Sequence, residues 1–154
     1  MKIKISILFL LIGIWACGPE PVYDETIAIE TEHWIYENQL DFEMEILDTT
    51  QVSELQLIID HSVDYSFENI YLKVNTQFPD GKKQDERLSI DLADKTGKWI
   101  GKCLSENCKL KVYLLEKFKF PEQGVYHFVF EQHSRQDSLR GINALQLKVI
   151  PVKE

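Results

Sequence analysis

Apolar residues recur at every second position in seven separate stretches of this chain. Phe42, Met44 and Ile46 alternate with Glu43, Glu45 and Leu47. Leu55, Leu57 and Ile59 follow, then Ile70, Leu72, Val74, Thr76 and Phe78 set against Tyr71, Lys73, Asn75 and Gln77. The later runs are Leu88-Ile90-Leu92, Leu110-Val112-Leu114, Tyr126-Phe128-Phe130 and Leu145-Leu147-Val149, each read at alternate positions. Successive side chains of an extended strand point to opposite faces, so a period of two writes one apolar face and one polar face. Pro79-Asp80-Gly81, Lys95-Thr96-Gly97 and Pro121-Glu122-Gln123-Gly124 supply turns between the runs. Strands of about 6–9 residues punctuated in this way predict an all-β chain, an antiparallel β-sandwich of immunoglobulin-like or jelly-roll-like kind. The one long irregular stretch, His133 to Asn143, is expected to be a surface loop with room for one helical turn.

The first seventeen residues do not fit that pattern. Lys2 and Lys4 precede an apolar run, Ile5 to Ile14, interrupted by Ser6 and Gly13. A bilayer-spanning helix needs ~20 apolar residues, whereas this run has the length of a signal-peptide core. Ile14-Trp15-Ala16-Cys17 resembles a lipobox, with an aliphatic residue, a variable position, a small residue and the cysteine. There the thiol takes a diacylglyceryl group, the small Ala16 fits the processing peptidase, and Cys17 becomes the new N-terminus. The competing reading is an ordinary secretory signal with an incidental cysteine. The expected organisation is a lipoprotein signal peptide over 1–16, a lipidated N-terminus and tether over 17–30, and a single sandwich domain over 31–154.

Charge bounds the partners. Removing Met1 to Ala16 leaves 138 residues with 15 basic and 25 acidic side chains, a net of −10. An acidic domain is a poor polyanion binder, which argues against nucleic acid. It adheres equally poorly to anionic headgroups, so a lipid anchor must do the holding. Stable attachment takes at least two acyl chains.

Cys103 and Cys108 remain as an even pair, free to oxidise outside the cytoplasm. Gly101 to Cys108 reads as a hairpin tip. A two-residue turn at Ser105-Glu106 would set the two cysteines opposite each other, and a four-residue loop, Leu104 to Asn107, is the alternative. So small a ring would add roughly 2 kcal/mol. Zinc is the rival occupant, but it needs two further ligands that no nearby Cys or His supplies. Two free thiols are the third state.

No phosphate-binding glycine loop or Gly-x-Ser-x-Gly elbow is present, and no cofactor or metal is implied. Asp60-His61 resembles half of a catalytic pair, yet no serine is placed to complete it, so His61 is read as a surface or edge histidine. Adjacent carboxylates such as Asp85-Glu86 point to opposite strand faces and cannot share one substrate. Trp34, Tyr36 and Trp99 are candidates for a sugar-binding platform, weighed against a role in the core. Gln132, Arg135 and Asp137 stand at a strand-to-loop junction, as a candidate partner-contacting set or one that orders the loop backbone.

The ordered motifs carry a resemblance. After the lipobox come Phe67-Glu-Asn-Ile-Tyr-Leu-Lys-Val, Phe78-Pro-Asp-Gly and Leu92-Ala-Asp-Lys-Thr-Gly-Lys-Trp-Ile-Gly. Phe120-Pro-Glu-Gln-Gly-Val-Tyr-His-Phe and Glu131-Gln-His-Ser-Arg-Gln-Asp-Ser-Leu-Arg-Gly-Ile complete the set. In this order they resemble the GldH-type gliding-motility lipoprotein family of Bacteroidetes, with a departure at Cys103 to Cys108, where the family pattern has a Gly-rich turn. The resemblance implies a cell-envelope lipoprotein associated with gliding motility and with linked secretion of surface proteins, and it implies no catalytic residues. The expected function is therefore a non-enzymatic, membrane-anchored interaction subunit whose partners are other gliding-motility or secretion envelope proteins. The alternative is a carbohydrate- or peptide-binding sandwich; an envelope enzyme is the third reading. Gly18-Pro-Glu-Pro shows no surface-export signal, which favours an outer-membrane position facing the periplasm.

Overall fold

A computed structural model describes residues 19–31 and 33–153, and Cys17 lies outside them. The described chain is eleven strands and no helix: β1 (Tyr23–Ala28), β2 (His33–Ile35), β3 (Leu40–Ile46), β4 (Ser53–Ser62), β5 (Asn69–Gln77), β6 (Lys83–Asp91), β7 (Lys102–Leu104), β8 (Asn107–Phe118), β9 (Gly124–Gln132), β10 (Ser138–Arg140) and β11 (Ile142–Pro151). All pairings are antiparallel. One sheet runs β1-β11-β4-β8-β7, the other β3-β9-β5-β6, and β10-β2 forms a two-stranded piece. The alternation seen in sequence decides which faces meet. On β3, Leu40, Phe42, Met44 and Ile46 are buried while Asp41, Glu43 and Glu45 stay in solvent. They pack with Leu57 and Ile59 of β4, Phe130 of β9 and Leu145, Leu147 and Val149 of β11 in one core. Burying each such side chain contributes about 1.5–3 kcal/mol.

Two expectations are corrected. The segment expected as tether contributes a strand: β1 pairs along its whole length with β11, and Val22 N–H already donates to the Val149 carbonyl at 2.8 Å. The cause is local patterning, because Tyr23 and Ile27 pack against the core while Asp24 turns outward to Lys148 (2.9 Å) and Gln146 (2.6 Å). Of the described residues, Pro19 to Pro21 alone precede the sheet-bonded Val22. The second correction concerns 133–143, which has no helical turn. Leu139 of β10 sits opposite Trp34 of β2, both are buried, and that apolar pair draws two three-residue segments into a bridge.

Between β7 and β8 the turn is the two-residue one. Leu104 pairs with Asn107, Ser105 takes φ 55°, and Cys103 and Cys108 are cross-strand partners joined by a disulfide with Cα atoms 3.9 Å apart. Gly101 is fixed by close approach: a Cβ there would come within 2.6 Å of the Lys109 carbonyl oxygen, so the backbone can lie on β8 only without a side chain.

Candidate functional site

The proposed aromatic platform does not assemble. Trp34 is fully buried, its indole N–H donating to the Asn38 carbonyl at 2.6 Å. The Tyr36 hydroxyl donates to the Ser134 carbonyl. Trp99 packs edge-on against His61 with ring centroids 4.7 Å apart. Each ring has a separate structural partner: Trp34 lies in the core, Trp99 packs against it, and Tyr36 is half-buried beside the loop it bonds.

His61 is also corrected, from surface to interior. It continues the inward series Leu55-Leu57-Ile59 on β4, and it is fully buried between Trp99 and Tyr65. Its Nδ1 lies 2.9 Å from the Ser62 carbonyl, while Nε2 has no partner within the described residues. Burial pushes the neighbouring Tyr65 hydroxyl up to about 12. Asp60 points to the other face of the sheet, toward Lys109 (3.6 Å) and the Asn143 amide (3.0 Å), so no Asp60–His61 pair forms. The period-two signal ran on to position 61, and following it one step further finds this residue.

His127 does meet a carboxylate, with Nδ1 3.1 Å from both Asp41 oxygens, but on the open outer face of the second sheet. The same face carries Lys73 at 3.1 Å from Glu131, with the Gln39 amide 2.8 Å from the same carboxylate. Burial alone would push the Glu131 carboxyl up, yet Gln39 and Lys73 outweigh it and hold it below the usual glutamate value. Both pairs lie on the outer face of the second sheet, where Gln39, Lys73 and Glu131 line a concavity of about 310 Å³. Among the described residues no three His, Cys, Asp or Glu side chains gather as metal ligands.

Gln132, Arg135 and Asp137 divide by role. Gln132 is fully buried; its amide N–H donates to the carbonyls of Gln136 (3.1 Å) and Asp137 (3.4 Å), and its side-chain oxygen accepts from Ser134 N–H at 3.0 Å. One side chain thereby ties down backbone groups of the loop on which Arg135 and Asp137 are exposed. Replacing it strands those groups, at about 1–3 kcal/mol. Gln132→Ala should lower the thermal midpoint and open the loop to limited proteolysis at 133–137, checked by calorimetry and fragment mass.

Sequence reading missed a groove of about 520 Å³ between the β6 and β8 edges of the sandwich. Leu55, Val74, Leu88, Val112, Leu114, Phe118 and Phe128 line it, with Gln84, Glu86, Tyr113 and Lys119 among its polar residues. Its signal was the doublet Leu114-Leu115, which breaks the alternation of β8.

Comparison with known proteins follows the same residues. A model of the GldH lipoprotein family matches residues 21–149. A gliding motility lipoprotein GldH homolog of Christiangramia forsetii is 29% identical over 140 residues, covering 90% of this chain and 85% of that protein. The gliding motility lipoprotein GldH of Flavobacterium johnsoniae is 27% identical over 149 residues, covering 95% and 92%. Among solved structures, a family GH115 4-O-methyl-α-glucuronidase with specificity for decorated arabinogalactans aligns with a TM-score of 0.49 at 15% identity. That alignment covers 89% of this chain and 18% of the enzyme, so the chain spans under a fifth of its length. With the family match running from just before β1 to the end of the core of β11, the chain belongs to the GldH lipoprotein family.

Proposed function

We propose that this chain is an envelope lipoprotein, held at a membrane by acylated Cys17, that works as a non-enzymatic interaction subunit in gliding motility and the linked secretion of surface proteins. The observation that carries this reading is near-full-length similarity to two proteins named as gliding motility lipoproteins. The surface supports it. Leu104 stands 86% exposed at the tip of the disulfide-closed hairpin, and Arg135 and Asp137 are presented on a loop fixed by Gln132. A large apolar side chain held out on a rigid tip is the kind of anchor that partner pockets receive. The His127–Asp41 and Lys73–Glu131 pairs lie on the outer face of the second sheet, where each charge has a partner of opposite sign.

The test is deletion of the gene in a strain whose wild type spreads on agar, with tagged protein recovered from the envelope. Loss of spreading, restored by the wild-type gene, and recovery of defined envelope proteins are expected. Normal spreading with no recovered partner would overturn the reading.

A further inference from the structure

The groove between β6 and β8 exists because the two strands cannot close on each other. On the inner face of β6, Ile90 and Leu88 lie opposite Ile70 and Leu72, but the next two inward positions are Glu86 and Gln84, opposite Val74 and Thr76. Half of this edge therefore offers no apolar surface to the other sheet. Across the gap, β8 is irregular. Tyr113 pairs with Gln56, Leu115 with Leu55 and Phe118 with Ser53, so extra residues are inserted at Leu114 and again before Phe118, where Lys117 takes φ 49°. Such bulges bend a strand and re-aim its side chains. Tyr113 and Leu115 are left 48% and 46% exposed along the seam.

We propose that this groove takes one acyl chain of a membrane lipid. Its volume, about 520 Å³, falls within the roughly 300–1,000 Å³ of small-molecule sites. The floor is hydrocarbon and aromatic, and Gln84, Glu86, Tyr113 and Lys119 supply polar contacts for a headgroup. A tail needs no backbone hydrogen bonds, which an incoming peptide strand does. Both strand edges are protected against strand addition, β8 by its bulges and β6 by Lys83, Asp85, Glu86 and Arg87. A second copy pairing through β8 would set Lys109, Lys111 and Lys117 against themselves.

The location argues for a bilayer source, and this step rests on the proposed anchor. Tyr23, Val149, Leu55 and Leu115 form one rung across the first sheet, so the groove lies level with the point where the N-terminal chain joins the fold. Cys17 precedes Val22 by five positions, a reach of at most about 18 Å. Crossing from β1 to β8 takes three strand spacings, roughly 14 Å. An anchored domain thus keeps its groove within reach of lipid.

The experiment uses the full chain carrying Cys17→Ser, exported behind an ordinary cleavable signal and titrated with dansyl-undecanoic acid. Saturable, one-site binding with a blue-shifted emission, displaced by oleate, is expected. Gln84→Trp, which fills the mouth without removing a core side chain, should weaken it by about tenfold, and so should Leu88→Glu. Leu104→Glu, on the distant hairpin, should leave it unchanged. Absence of saturable binding, or equal binding by Gln84→Trp in a folded protein, would overturn the proposal. The source is read by placing the lipidated wild type in nanodiscs with a photoactivatable phospholipid. Crosslinks on β6 or β8 support a bilayer lipid, and their absence from the lipidated protein, beside saturable binding by the Cys17→Ser form, would refute that source and assign the groove to the chain's own anchor. A wild-type chain found soluble would sink the anchor while leaving the fatty-acid titration intact.

Discussion

Cys17→Ser is expected to move the protein from the membrane pellet to the soluble fraction. The other forces that could hold it are weak or opposed. With a net side-chain charge of −10 after signal removal, the mature chain is repelled by anionic headgroups. Among the described residues no helix is long and apolar enough to cross a membrane. Two or more acyl chains supply binding that a single chain does not, and losing the thiol removes all of them together. The fold should survive, because Val22 is the first of the described residues bonded into the sheet and Cys17 precedes it by five positions. Fractionation with a high-salt wash and labelling with a clickable fatty acid test both parts. Labelling that persists in the serine variant would refute acylation at Cys17. An unlabelled variant that stays in the pellet through the wash would show that a protein partner, not the lipid, does the holding.

The sandwich was legible because alternation is a backbone property written directly in side chains. Phe42 to Ile46 and Leu55 to Ile59 announced a buried face that the sheets then shared. What stayed hidden was set by pairing at a distance. Tyr23 to Ala28 looks like polar tether until β11 lies beside it and Tyr23 and Ile27 pack, half-buried, against the core. His33–Ile35 and Ser138–Arg140 are too short to signal alone and exist because Trp34 and Leu139 meet across about a hundred residues. The candidate residues divide in the same way. Cys103 and Cys108 were readable as a local pair five positions apart. Gln132 was readable only as a polar residue near a loop; its partners at Ser134, Gln136 and Asp137 depend on how that loop folds back. The groove was least legible, since it arises from a mismatch between Glu86 and Gln84 on one sheet and a bulged strand on the other.

Trp34→Ala should be the most damaging single substitution within the domain. Trp34 is the largest fully buried side chain, and it comes from a three-residue strand with little else to hold it. Removing it loses the transfer free energy of an indole and leaves a cavity that neighbouring strands cannot fill, about 3–5 kcal/mol together. It also frees the Asn38 carbonyl from its 2.6 Å bond and takes away the surface on which Leu139 rests. Against a total stability of roughly 5–15 kcal/mol, that is enough to unfold a measurable fraction near growth temperature. The thermal midpoint of the soluble Cys17→Ser form should fall by about 10 °C or more. Trp34→Phe keeps most of the volume and should cost less, with the Asn38 carbonyl still unpaired. Leu104→Ala, at the exposed hairpin tip, should change stability by under about 0.5 kcal/mol. Circular dichroism melts of the three variants separate these cases. A Trp34→Ala protein that melts with the parent would mean the indole is no core plug, and the case against an aromatic ligand platform would fall with it.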